Sequence, residues 1–70
     1  MLDFRIHTFL CVCRHMNYTK AAAELRITQP AVSQHIRYLE KEFQIKLFTY
    51  TGKRLELTQA GQILLNAATT

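Results

Sequence analysis

Four stretches of this chain set apolar residues three and four positions apart, the spacing of an amphipathic helix. In the first, roughly Leu2 to His15, one arc carries Leu2, Ile6, Phe9, Leu10 and Cys13, extended by Met16, with Phe4, His7 and Cys11 opposite. This predicts a helix that meets a core through the first group. Asn17 suits the N-cap of a short second helix, Tyr18 to Leu25, because its side-chain oxygen accepts an amide hydrogen left unpaired in a first turn. Ala21, Ala22 and Ala23 allow a neighbouring helix to cross closely. Arg26-Ile27 reads as a tight turn, and Thr28 caps a third helix, Gln29 to Phe43. Pro30 lies in its first turn, where a missing N–H costs nothing. The predicted core stripe is Val32, Ile36, Leu39 and Phe43.

Past Ile45 the period changes. Leu47-Phe48 and Leu55-Glu56-Leu57 read as extended segments, linked by residues 49–54 with Thr51-Gly52-Lys53 at the tip. Gly52 supplies the positive φ that such turns often require. Thr58 then caps a last helix, Gln59 to about Ala68, in which Ile63, Leu64 and Leu65 are apolar. The pattern is still helical where the sequence ends, so the expectation is a piece of a longer chain. The predicted fold is mostly α, a winged helix-turn-helix: a three-helix core, a small β-hairpin wing and the start of a linker helix. Residues 1–58 would form the domain and 59–70 the opening of the linker.

Composition narrows the classes. Seventy residues make one domain, and packing alone leaves a core of this size only about 3–5 kcal/mol. Support from a partner chain or a downstream segment is therefore expected. A hydrophobic share of 49% is enough for a globular core. No apolar run approaches the roughly 18 residues of a membrane span, and no signal peptide is read at the N-terminus, so a cytoplasmic location is expected. Cys11 and Cys13 diverge by about 200° on a helix and are read as reduced thiols, Cys13 as a small buried residue. His7, Cys11 and His15 recur every fourth residue, yet a straight helix does not wrap three ligands round one ion and structural zinc takes four. They are read as a solvated or partner-facing stripe, with no metal expected. His35 falls at the edge of the core stripe. No Gly-rich phosphate loop, paired carboxylates or nucleophile–base pair is visible, which argues against an enzyme and a bound cofactor.

The net charge of +4 matters through its distribution. The outer arc of the third helix carries Pro30, Ser33, Gln34, Arg37 and Lys41, with Glu40 and Glu42 only on its flanks. A merely solvated face mixes both signs of charge. An α-helix fits the major groove, where Gln, Ser and Arg reach base edges. Its first turn, at Thr28 and Gln29, aims free amides and a partial positive charge at phosphate. Lys53 and Arg54 on the protruding loop reach the adjacent backbone or minor groove, and each such contact releases counterions. Lys20 and Arg26 divide between phosphate contact and solvent. The competing reading, a winged helix that binds only protein, is weakened by the absence of apolar anchors on that arc.

The run Asn17-Tyr18-Thr19-Lys20-Ala21-Ala22, then Leu25, Thr28-Gln29-Pro30-Ala31-Val32-Ser33, Ile36, Leu39-Glu40, Leu47-Phe48 and Leu57-Thr58-Gln59-Ala60-Gly61 resembles the N-terminal domain of LysR-type transcriptional regulators. The likeness covers nearly the whole chain. It implies sequence-specific binding of double-stranded DNA for transcription control, with Thr28, Gln29, Pro30, Ser33, Gln34 and Arg37 facing DNA and Lys53 as the wing cation. It also implies a homodimer or tetramer joined through the linker helix, and a small-molecule effector bound by a downstream domain. The chain departs from the family pattern at Tyr50, where Arg is frequent, and at Phe43-Gln44, where Leu-Gly is common.

Overall fold

The structure, a computed structural model, describes residues 4–70. The helices are α1 (Phe4–His15), α2 (Tyr18–Leu25), α3 (Gln29–Phe43) and α4 (Gln59–Thr69). Between α3 and α4 an antiparallel ribbon pairs β1 (Phe48–Thr51) with β2 (Arg54–Leu57). Each expected cap is in place. Asn17 Oδ1 accepts from the Lys20 N–H at 2.8 Å, Thr28 Oγ1 from Ala31 at 3.2 Å and Thr58 Oγ1 from Gly61 at 2.9 Å. Arg26 closes α2 in the left-handed region (φ 59°), donating its N–H to the Ala22 and Ala23 carbonyls. Gln44 does the same for α3 at φ 55°, although a side chain is disfavoured there relative to glycine.

The core is built from Phe9, Cys11, Val12, Val32, Ile36 and Leu47, all fully buried. Here the single-stripe reading of α1 fails. Cys11 was expected on the outer arc with Phe4 and His7, but it is buried, while Cys13 is only half-buried. The reason is that α1 touches α2, α3 and α4, so it is covered on more than one side. Thr8, a polar residue, is buried for the same reason; its hydroxyl donates to the Phe4 carbonyl at 3.3 Å and lies 2.9 Å from His35 Nδ1. Burial pushes both thiols up, that of Cys13 to about 11. Leu2, the first residue of the expected stripe, lies outside the described residues.

Phe43 is the second correction. It continues the core line of α3 in sequence but is 47% exposed. The left-handed turn at Gln44 redirects the chain, and Ile45 and Leu47 enter the core in its place. The linking loop is also shorter than expected: Thr49, Tyr50, Thr51 and Arg54 belong to strands, leaving Gly52-Lys53 as a two-residue turn. Gly52 has φ 65°, the positive value that a hairpin of this length requires at its first central position.

The base of the wing is fastened from both sides. Glu40 of α3 accepts the Leu47 N–H on its carboxylate at 2.9 Å, and its carbonyl accepts from Ile45 at 3.0 Å. Thr58 donates its hydroxyl to Lys46 O and its N–H to Leu47 O, the latter at 3.0 Å. Gly61, in the first turn of α4, sits so close that an added Cβ would meet the Leu47 carbonyl and lie 2.6 Å from Leu57 Cδ1. Leu64, Leu65 and Ala68 then lay α4 against the core, whereas Ile63 is left exposed.

Candidate nucleic-acid interface

The third helix buries Val32, Ile36 and Leu39 and leaves Gln29, Pro30, Gln34, Arg37 and Lys41 exposed. Ser33 is half-buried at the arc's edge, where its hydroxyl accepts from Gln29 Nε2 at 3.1 Å. That bond holds two candidate readers one helical turn apart on a single ridge. Thr28 is exposed and spends its side-chain oxygen on the Ala31 N–H, so its capping role is occupied while the helix start stays open to solvent. The uncovered surface is wider than the sequence reading had it, extending to Tyr38, Glu42 and Phe43. Tyr38 turns toward α1, with the Arg5 guanidinium 3.7 Å from its ring centre. His35 also faces α1, its ring edge-on to Phe4 at 5.1 Å and its Nδ1 beside Thr8.

The wing closes the other side. A groove of about 370 Å³ between α3 and β1 is lined by Ser33 and Arg37 of α3, Lys46, and Thr49 and Tyr50 of the ribbon. A second depression brings Lys53 of the turn beside Gln29 and the start of α2 at Asn17 and Thr19. Of the expected residues, Ser33 and Arg37 border the first depression and Gln29 and Lys53 the second, with Tyr18 and Tyr50 lining both. Arg54 stands apart from them. Strand alternation puts Phe48, Tyr50, Leu55 and Leu57 on one face of the ribbon, and Thr49, Thr51, Arg54 and Glu56 on the other. The Thr51 hydroxyl donates to Glu56 on that outer face at 3.0 Å.

Sequence reasoning passed over residues that shape this surface. Tyr50 was noted only as a lost cation, yet it is 63% exposed and borders both depressions. Lys46 had no assigned place. Tyr18 packs edge-on against Phe48 at 6.0 Å, and burial, together with the Glu40 charge, pushes its phenol up to about 12. The strand signal was present in Thr-Tyr-Thr, residues that favour a pleated ribbon. No local signal marks Lys46, which lines the groove on a loop held by Glu40 and Thr58.

The match to known proteins agrees with this geometry. Residues 5–62 fit the family described as bacterial regulatory helix-turn-helix protein, lysR family. The RuBisCO operon transcriptional regulator of Allochromatium vinosum is 47% identical over 58 residues, covering 83% of this chain and 19% of that protein. The chain thus spans about a fifth of the length of such curated relatives. Among solved structures, a LysR-family transcriptional regulator from Eggerthella lenta superposes with a TM-score of 0.95 at 61% identity, covering all of both chains. The BenM_DBD complex with catB site 1 DNA superposes with a TM-score of 0.89 at 30% identity, over 99% of this chain and 78% of that one. Both the order of elements and the matched residues lead to one assignment: this chain belongs to the LysR family of bacterial regulatory helix-turn-helix proteins.

Proposed function

We propose that this chain is the DNA-reading part of a transcription regulator, binding double-stranded DNA in a sequence-specific manner and catalysing no reaction. The observation that carries the reading is the uncovered side of α3 facing the wing across two depressions that share Tyr50, one bordered by Ser33 and Arg37, the other by Gln29 and Lys53. In this reading α3 enters the major groove. Gln34 and Arg37 reach base edges, while Thr28, Gln29, Pro30 and Ser33 approach the phosphates at the helix start. Lys53 meets the neighbouring backbone or minor groove, and Arg54, on the outer ribbon face, meets a phosphate farther along. The crystallised BenM_DBD complexes with catB and benA site 1 DNA support the assignment by likeness of fold and chain.

Residues 1–58 act as the reading head and α4 as the opening of a linker through which two or four copies assemble. A small-molecule effector would act through a downstream domain of the kind that the greater length of the relatives accommodates. No helix among the described residues is long and apolar enough to cross a membrane.

The test is a titration with duplex DNA across a salt series. Binding should weaken steeply with salt, and Lys53→Ala should weaken all sequences alike while lowering the log–log slope by about 1. Absence of salt-dependent binding would instead assign the surface to a protein partner.

A further inference from the structure

We propose that Cys11 and His15 of α1, together with Glu24 of α2, form a binding site for a zinc-type divalent cation. The sequence places Cys11 and His15 one turn apart on the last turns of α1, and the fold adds a third ligand that sequence spacing could not supply. The Cys11 Sγ, a His15 ring nitrogen and a Glu24 carboxylate oxygen all lie within 4.8 Å of one another. Small residues make this possible: Ala21 and Ala22 are buried against α1, and the Cys11 thiol donates to the Ala21 carbonyl at 3.8 Å. That close crossing carries Glu24, one turn farther along α2, over the end of α1. There its carboxylate holds His15 Nε2 at 2.7 Å and also pairs with Arg14. His7, a turn earlier, does not belong to the group.

Thiolate, imidazole and carboxylate are a borderline-soft set of the kind zinc accepts, three protein ligands with a fourth position for water. Metal–ligand bonds of about 2.0–2.3 Å require the triangle to contract by roughly an ångström. Exposed His15 and Glu24 can supply that movement by side-chain rotation, because only Cys11 is locked in the core. On binding, the Cys11 S–H bond breaks, a sulfur–metal bond forms, and one proton passes to solvent. His15 gives the lone pair of a neutral ring, and Glu24 is already anionic. Two negative ligands then cancel the charge of a dication, and Arg14, 60% exposed at its side chain, swings away. The partial negative charge at the end of α1 favours the same ion.

Cobalt(II) added to the reduced protein reads the site directly. A thiolate-to-metal absorption should rise to saturation at one equivalent and vanish on addition of zinc(II), which binds more tightly. Cys11→Ala should abolish the band, and His15→Ala and Glu24→Gln should each weaken binding at least roughly 10-fold. Cys13→Ala and His7→Ala should leave band and affinity unchanged. Circular dichroism establishes which variants fold; should Cys11→Ala not fold, the surface variant His15→Ala and the Cys13→Ala control still decide. Zinc(II) should also raise the melting temperature of the parent protein and not that of His15→Ala. No thiolate band in the parent protein, a band that survives Cys11→Ala, or one lost in Cys13→Ala or His7→Ala overturns the site.

Discussion

Arg37 and Gln34 are exposed on the same side of α3, with no acidic side chain between them. Arg pairs bidentately with guanine and Gln with adenine, and each good pair is worth about 1–3 kcal/mol of discrimination. Arg37→Ala and Gln34→Ala should therefore each cost about 1–3 kcal/mol on a cognate duplex and much less on random sequence, as read by competition binding. Unchanged discrimination would remove the residue from the reading set. Tyr18 offers a second residue-level test. Its phenol is raised from 10.0 to about 12, first by burial and then by Glu40. A raised pKa means the folded state keeps a proton that the unfolded chain has released. That stability is complete below pH 10 and is lost as pH climbs toward 12. Tyr18→Phe should flatten the alkaline fall of stability in denaturant titrations between those values. The exposed polar arc of α3 was legible in the sequence, because charge pattern on a helix depends only on spacing. Tyr50 and Lys46 were not, because their position depends on how the ribbon pairs and where its base is pinned.

Helix limits followed from local chemistry. Asn17, Thr28 and Thr58 each accept one otherwise unpaired first-turn amide, and α2, α3 and α4 start where those signals put them. What α1 buries was less legible, since a helix packed by three neighbours loses its single apolar stripe, as Cys11 and Thr8 demonstrate. Phe43 failed for a related reason: periodicity reports direction, not whether a neighbour remains to be met. At this scale Gly61 is the most exacting position. An added methyl would press on the Leu47 carbonyl, which cannot retreat because Thr58 and the wing base hold it. Gly61→Ala should lower stability by about 1–3 kcal/mol in urea unfolding despite the better helix propensity of alanine. An unchanged midpoint would mean that α4 shifts freely on its seat.

For the whole molecule, the weight falls on α4. Leu64, Leu65 and Ala68 turn inward, leaving Ile63 64% exposed. In a dimer joined through α4, two recognition helices would meet half-sites about 10 base pairs apart or a multiple of it. Inserting about five base pairs between half-sites turns one of them to the far side of the duplex and should reduce the affinity of the dimeric protein by more than roughly tenfold. Affinity that ignores the insertion would mean the two heads are loosely tethered.

The junction at Thr58 argues against such slack. The same residue that starts α4 grips the backbone at Lys46 and Leu47, two residues that feed directly into the wing. A shift of α4 at Thr58 would thus be felt at the base of the wing, at Lys46 and Leu47. Because Leu64, Leu65 and Ala68 also seat α4 on the core, twisting that helix would disturb the core and the wing base together.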